Sequence, residues 1–168
     1  MTPAMVLDTN VLEHAFNPVV NGDGHVENLL KKFTQQRKKL CLDRPAAGKK
    51  SRILEEYDHR LQFHKKKIAE QGQMTQWLRY ILVLADREDT PVNLADGLGV
   101  RVAGHMDRVQ AERSDQLFVY VACRLNSVMV SNNSRHVTDL RTELRRAARS
   151  VHNNETDFVS SIEAEASM

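Results

Sequence analysis

The sequence predicts an α/β fold in which a short parallel sheet lies between layers of helices. Three short apolar runs, at residues 4–7, 40–42 and 127–130, are typical of buried strands because none alternates between apolar and polar residues. Segments with the apolar spacing of helices separate these runs along the chain. Strands buried on both faces and separated by helices form parallel sheets that helices cover on both sides. We therefore predict a three-layer α/β/α architecture.

The first half of the chain holds two of these strands and three amphipathic patterns. Thr9 or Asn10 can cap the helix that follows the first strand. Asn, Pro and Gly residues at 17–24 favour a loop. Apolar residues spaced as on one helical face predict helices at 11–16, 26–33 and 53–61.

The part of the chain after residue 70 contains one ambiguous segment. Residues 89–104 are interrupted by Pro and Gly, and they predict at most a short strand near Val100 and Val102. The third strand lies between two helical patterns. The helical patterns after residue 70 cover residues 74–85, 117–125 and 137–148.

One domain is expected from the size and composition of the chain. It has 168 residues, of which 41% are hydrophobic and 27% charged, which suits a single domain with a hydrophobic core. After Arg149 the chain carries four acidic residues and no Lys or Arg, and it lacks a convincing apolar pattern. We therefore predict one domain over residues 1–150 and a mobile C-terminal tail over 151–168.

The two cysteines and the lengths of the apolar runs bear on the compartment. Cys41 and Cys123 lie inside apolar runs, and neither a disulfide framework nor a Cys/His metal spacing is present in the sequence. They are expected as buried thiols in a reducing compartment. No apolar run approaches the length of a membrane span, and a secretory pattern is absent from the first residues. We expect a cytoplasmic protein without a membrane partner.

The basic residues are concentrated in the middle of the chain. The formal net charge is only +2, but residues 31–67 contain thirteen Lys and Arg against four acids. Such a local surplus favours an anionic partner, of which nucleic acid is the usual one. The alternative is an ordinary solvated surface.

Polar residues follow each of the predicted strands. Asp8 follows the first strand, Asp43 the second, and Ser131 begins a Ser-Asn-Asn stretch after the third. The carboxyl ends of parallel strands meet at one edge of a sheet, where functional groups are usually found. Carboxylates gathered there repel one another unless a cation joins them, and Mg²⁺ and Mn²⁺ prefer oxygen ligands. An ion held in this way can bind phosphate oxygens and activate water.

Three stretches of the sequence resemble the motifs of one family. MVLDTNVL is similar to the opening motif of PIN-domain nucleases, and ILEEYDHRL is similar to their second motif. RSDQLFVYVACRLNSVMVSNN resembles their third and fourth motifs, with similar spacing between them. The four motifs lie in the family's order between residue 5 and about residue 136. The resemblance implies that the predicted domain, residues 1–150, has a PIN-like fold.

The resemblance also assigns the acidic residues of a catalytic site. Glu56 matches the second acid because it directly precedes Tyr57, with Glu55 as the alternative. The fourth position is uncharged here, whereas many members of the family have Asp. The implied catalytic residues are Asp8, Glu56, Asp115 and Asn133, and the first three of them are the implied ligands of Mg²⁺ or Mn²⁺.

Neighbouring residues are implied to support this site. By resemblance, Thr9, Asn10 and Ser131 would hold the acids or contact phosphate. Each acid also has a purely structural alternative, which the sequence leaves open. Asp8 and Asp115 can cap helices, Glu56 can lie on a solvated helix surface, and Asn133 can be a turn residue.

The activity implied by the resemblance is metal-dependent hydrolysis of phosphodiester bonds in single-stranded RNA. Such an endoribonuclease would act through a metal-bound water, either as the toxin of a toxin–antitoxin pair or as a defence effector. An antitoxin or other regulatory protein is the implied partner, and self-association is expected from the family. The alternative is a degenerate PIN domain that binds RNA or a protein without cleaving, because Asn133 is uncharged.

Two groups of cations are candidates for contacts with nucleic acid. Arg141, Arg145 and Arg149 are spaced at i, i+4 and i+8, so they form one stripe on the predicted final helix. Lys49 and Lys50 lie near the second motif. The alternative for the arginines is a solvated face that pairs with Glu143 or with the acidic tail.

Overall fold

The central feature of the computed structural model is a sheet of five parallel strands in the order β3-β2-β1-β4-β5. The structure describes residues 4–15, 24–63, 66, 70, 72–133, 139–152 and 156–168. The three strands expected from the sequence are confirmed, and two more lie outside them at the edges. The strands are β1 (Met5–Leu7), β2 (Leu40–Asp43), β3 (Arg87–Thr90), β4 (Val128–Val130) and β5 (Asp157–Val159).

Helices flank the sheet, as the predicted α/β class requires. Helix α6 packs against four of the strands, and every residue from Gln116 to Cys123 in it is buried. The structure describes a π-helical turn at Tyr80–Leu84 and a 3₁₀ turn at Arg113–Asp115. The helices are α1 (Thr9–His14), α2 (His25–Gln35), α3 (Arg52–Phe63), α4 (Gly72–Arg79), α5 (Gly97–Arg108), α6 (Gln116–Leu125), α7 (Arg141–His152) and α8 (Ser161–Ser167).

The register of the strands aligns their carboxyl ends. Leu7 lies opposite Val130 in β4, and Val130 lies opposite Val159 in β5. Backbone hydrogen bonds continue past the strands, because the Asp8 amide donates to the Val130 carbonyl at 2.9 Å. The residues that follow β1 and β4 therefore meet at one edge of the sheet.

The segment 89–104 differs from its prediction. Its first residues complete β3, and a helix, α5, lies where we expected at most a strand near Val100 and Val102. The Asp96 side chain caps α5 by accepting a hydrogen bond from the Gly99 amide at 2.8 Å. Glycines inside the helix weakened the apolar pattern from which it could have been predicted.

The segment that we expected to be a mobile tail, within residues 151–168, instead adds β5 and α8 to the domain. The side chain of Phe158 is buried in the core. Helix α8 begins with a capping box in which Ser160 and Glu163 bond each other's backbone amides. The Ser-x-x-Glu spacing was the signal for this helix, and a single buried aromatic was too little to predict the strand.

Three further expectations concern the cysteines, the segments around residues 16–23 and 137, and the possibility of a membrane span. Cys41 and Cys123 are both buried, as expected, and burial raises the pKa of each thiol to about 12. Phe16, the loop at 17–23 and Val137 lie outside the described residues. Among the helices that the structure describes, none is both long and apolar enough to cross a membrane.

Candidate functional site

The site lies where the order of the strands reverses. From β1 the chain proceeds through β2 to β3 on one side, and then returns to β4 on the other side of β1. In open parallel sheets, ligands bind in the crevice outside the carboxyl ends of the strands at such a switch point. Asp8 and Ser131 directly follow the two strands, β1 and β4, that flank this crevice.

Asp8 is held by side chains from two elements. Its Oδ2 atom accepts hydrogen bonds from the Ser131 hydroxyl at 2.7 Å and from Asn10 Nδ2 at 3.1 Å. Asp8 is only 4% exposed. It occupies the position before α1, but its side chain makes no capping hydrogen bond to that helix. The carboxylate therefore faces the Ser131 side of the switch point, and capping of α1 does not explain its presence.

Glu56 is brought to the same region by α3. Its Oε1 atom accepts a hydrogen bond from the hydroxyl of Thr9, at 3.0 Å, and Thr9 is the residue next to Asp8. Glu55, the alternative to Glu56, is exposed. The structure therefore places Glu56 beside the opening motif, 47 residues away in sequence.

The buried phenol of Tyr57 holds α3 against β1, and its pKa is affected by the charges of both acids, Asp8 and Glu56. Its hydroxyl donates a hydrogen bond to the carbonyl of Leu7, the last residue of β1. Burial raises the pKa of Tyr57, and the negative charges of Asp8 and Glu56 raise it further. Both carboxylates thus lie within electrostatic reach of one phenol. Tyr57 directly follows Glu56, so its hydrogen bond to Leu7 also sets the distance between α3, which carries Glu56, and the sheet.

The segment after β4 closes the other side of the site. Ser131 Oγ donates to Asp8 and accepts a hydrogen bond from the Asn133 backbone amide at 3.0 Å. Asn10 Oδ1 accepts a hydrogen bond from the Asn132 backbone amide at 3.1 Å. The expected support residues Thr9, Asn10 and Ser131 are therefore all in contact with an acid, and Asn133 contributes its backbone amide to the same network.

Asp115 lies at the same end of the sheet. It ends the 3₁₀ turn that precedes α6, is half-buried, and makes no side-chain capping bond to that helix. Helix α6 leads directly into β4 and packs on β1, so its first turn lies toward the carboxyl ends of both strands. Within the described residues, no three His, Cys, Asp or Glu side chains are grouped closely enough to share a metal ion.

The donor atoms at the switch point suit a hard cation. Carboxylates of Asp8 and Glu56 and hydroxyls of Thr9 and Ser131 offer oxygen, and these four side chains offer no nitrogen or sulfur. Mg²⁺ usually keeps several water ligands and needs only one or two protein carboxylates. The chemistry of this donor set therefore fits Mg²⁺ or Mn²⁺ better than Zn²⁺.

Two further acids at this edge anchor helices. Asp43 is buried, and its carboxylate accepts hydrogen bonds from the Ser51 hydroxyl at 2.5 Å and from the amides of Arg52 and Ile53 at 2.8 and 2.9 Å. It thereby fixes the start of α3, which carries Glu56. Burial opposes ionisation of Asp96, but hydrogen bonds from Tyr120 and Gly99 outweigh it and lower the pKa.

The arginine stripe is largely engaged within the protein. Arg141 Nε donates to the Phe158 carbonyl at 2.7 Å, and its Nη2 pairs with Glu163 at 2.6 Å. Arg145 forms an ion pair with Asp157. The structure thus favours the alternative of pairing with the acidic C-terminal segment. Arg149, Lys49 and Lys50 are exposed, and Lys50 forms a solvent-exposed ion pair with Asp58.

Asn132 is a residue that sequence reasoning missed. Its side chain contacts His14 and Ser161, and its backbone contacts Asn10. Its place between Ser131 and Asn133 was the available signal.

Comparison of the chain with protein-family models, with curated proteins and with solved structures found no match.

Proposed function

We propose that the chain is a Mg²⁺- or Mn²⁺-dependent endoribonuclease with a three-layer PIN-like fold. The observation that carries the proposal is the hydrogen-bonded group formed by Asp8, Asn10 and Ser131 at the switch point of the sheet. Thr9 adds the carboxylate of Glu56 to this group. A polar cluster of this kind costs desolvation free energy, so its presence at a ligand-binding position supports a functional role.

We assign the roles of the residues from their contacts and from their positions in the fold. Asp8 and Glu56 would hold the ion. Asp115, at the start of α6, is not grouped closely enough with these two acids to share an ion in this structure, so it would join them only when the ion is bound. Asn133 would assist the three acids. When bound, the ion supplies an activated water and neutralises charge on the phosphate. Ser131 and Asn10 fix the orientation of Asp8 through its Oδ2 atom. Thr9 restricts the rotation of Glu56 in the same way.

The connection after β2 provides a basic surface for the nucleic-acid backbone. We refer to Arg44, Lys49, Lys50 and Arg52 as the β2–α3 cations; all four are exposed. Met5 lies opposite Leu40, so the end of β2 at Asp43 is level with Asp8. This surface therefore adjoins the acidic site, whereas Arg141 and Arg145 are occupied by other contacts.

Neutralising two β2–α3 cations should weaken RNA binding and its salt dependence. We expect Arg44→Gln with Lys49→Gln to reduce the slope of log affinity against log salt by about 1.4, because each single-strand phosphate contact contributes about 0.7. The measurement is fluorescence anisotropy of a single-stranded RNA in EDTA, which prevents cleavage.

The matched control removes the same charges at the opposite end of β2. Arg37 and Lys39 are exposed and precede the strand, so they lie at the amino edge of the sheet. Arg37→Gln with Lys39→Gln should leave the slope nearly unchanged. Equal losses in the two double variants would show that RNA does not bind preferentially at the site edge.

The experiment that tests the activity uses the wild-type chain with single-stranded RNA and single-stranded DNA, each with Mn²⁺ or with EDTA. We expect cleavage of RNA in Mn²⁺ and none in EDTA. Cleavage that continues in EDTA would contradict a metal-dependent mechanism, and cleavage of DNA alone would contradict the proposed substrate.

A second candidate function is binding of RNA or a protein without cleavage. Two observations favour it: Asn133 is uncharged, and Asp8 Oδ2 already accepts two hydrogen bonds.

If the chain is an active nuclease, Asn133→Asp should lower the Mn²⁺ concentration for half-maximal cleavage by about tenfold, because an added carboxylate strengthens cation binding. Cleavage that is detected only in Asn133→Asp would support the second candidate.

A further inference from the structure

Asn132 connects the site to the C-terminal helix. Its Oδ1 atom accepts hydrogen bonds from the Ser161 backbone amide at 3.1 Å and from the Ser161 hydroxyl at 2.7 Å. Its Nδ2 atom lies 2.9 Å from Nδ1 of His14, at the end of α1. Its own backbone amide donates to Asn10 Oδ1 at 3.1 Å. One residue therefore joins α1, α8 and the segment after β4.

The orientations of both asparagine amides follow from these contacts. A backbone N–H can only donate, so the Asn132 atom that faces the Ser161 amide must be the oxygen. The Asn132 nitrogen then faces His14, whose Nδ1 must accept, with the ring proton on Nε2. Burial lowers the pKa of His14, which agrees with a neutral ring.

The same argument fixes the Asn10 amide. The Asn132 backbone N–H faces Asn10 Oδ1, so the Asn10 nitrogen is turned toward Asp8 Oδ2. If the Asn10 amide were reversed, its oxygen would face the Asp8 carboxylate and repel it. The position of the Asn132 backbone thus selects the Asn10 orientation that supports Asp8.

Helix α8 is a firm anchor for Asn132, because other contacts hold the helix in place. Lys32 in α2 forms an ion pair with Glu165 at 2.6 Å and donates to the Glu165 carbonyl at 2.9 Å. Arg141 in α7 pairs with Glu163 from the other side. Ser161 itself is fully buried. These contacts therefore fix the first turn of α8 relative to the rest of the domain independently of Asn132.

We propose that Asn132 is a positioning residue that couples helix α8, through Ser161 and Asn10, to the orientation of the Asp8 carboxylate. This inference rests on the proposed function, because it concerns the same site. The C-terminal segment, which the sequence suggests is a mobile tail, would then be required for activity. A merely structural role for Ser161 would affect folding and leave the Asn10 amide and the turnover of the folded protein unchanged.

The test compares Ser161→Ala and Asn132→Ala with the matched control Ser167→Ala. Ser167 lies on the same helix, and its hydroxyl donates a hydrogen bond within that helix, to the Ala164 carbonyl at 2.9 Å. The first readout is the NMR signal of the Asn10 side-chain amide, which requires neither metal nor substrate. The second readout is kcat and KM for RNA cleavage in Mn²⁺, and circular dichroism verifies the fold of each variant.

We expect Ser161→Ala and Asn132→Ala to shift the Asn10 amide signal and to lower kcat by about 10- to 100-fold, the usual effect of losing a group that orients a metal ligand. KM should stay nearly constant, and Ser167→Ala should resemble wild type in both readouts. If folded Ser161→Ala leaves the Asn10 signal unchanged, the coupling is absent. If wild type does not cleave but the Asn10 signal shifts, the proposed function fails while the link from α8 to Asn10 is retained.

Discussion

Replacing Asp8 with Asn should reduce the Mn²⁺-dependent cleavage of RNA by about a thousandfold or more. The substitution removes one negative charge at the switch point and leaves the shape of the side chain nearly unchanged. The charge that an ion neutralises in a phosphoryl transition state is worth several kcal/mol, and about 4 kcal/mol corresponds to a thousandfold change in rate. The measurement is the single-turnover rate on a labelled single-stranded RNA.

Thermal unfolding separates this effect from loss of the fold. In EDTA, Asp8→Asn should unfold at the wild-type temperature or above it, because the amide oxygen still accepts the Ser131 hydroxyl and a buried charge is removed. Added Mn²⁺ should stabilise wild type but not Asp8→Asn, because binding to the folded state alone raises stability. Asp107→Asn is the control, since Asp107 is an exposed acid paired with Arg113. Unchanged cleavage by Asp8→Asn would remove the enzyme proposal.

The accuracy of the predicted strands depended on where each lies in the sheet. Strands β1, β2 and β4 occupy the middle of the sheet, and their unbroken apolar runs made them predictable. Strands β3 and β5 lie at the edges and have the sequences Arg-Glu-Asp-Thr and Asp-Phe-Val. An edge strand has one neighbour and tolerates polar residues, so its sequence carries little of the signal of a buried strand.

The contacts of the candidate site divide in a similar way. Asp8, Glu56 and Ser131 were predictable because each lies within a short motif next to a strand or helix. The spacing of Arg141 and Arg145 predicted that they share a helix face, but not that the C-terminal segment covers that face. Asn132 was missed for the same reason, since its partners His14 and Ser161 are distant in sequence. The local sequence indicates which face of a helix or strand a side chain lies on, whereas its contact partners depend on tertiary packing.

Among the glycines that the structure describes, Gly99 is the one where an added methyl group should destabilise the fold most. An added Cβ would lie 2.6 Å from the Leu94 Cα and closer still to the Leu94 carbonyl group, and backbone atoms cannot move aside cheaply. Gly99→Ala should therefore lower the free energy of unfolding by about 3 kcal/mol or more. For a chain of this length, that corresponds to a fall in the melting temperature of about 6–12 °C.

Gly104→Ala on the same helix is the matched control and should have the opposite sign. A Cβ at Gly104 meets nothing within 4 Å, so Ala should stabilise α5 by about 0.5–1 kcal/mol through helix propensity. Chemical denaturation of the two variants measures both effects, and a stabilising Gly99→Ala would contradict the close approach of Leu94.

The loss at Gly99 should extend to the site. The Gly99 carbonyl accepts a hydrogen bond from Gln116 Nε2 at 2.9 Å, and Gln116 directly follows Asp115. The Asp96 carboxylate, which caps α5 at Gly99, also accepts the Tyr120 hydroxyl of α6 at 2.6 Å. A shift of the first turn of α5 therefore displaces the start of α6 together with the third proposed metal ligand. Folded Gly99→Ala protein should consequently need more Mn²⁺ for cleavage than Gly104→Ala, and equal requirements would show that Asp115 is positioned independently of α5.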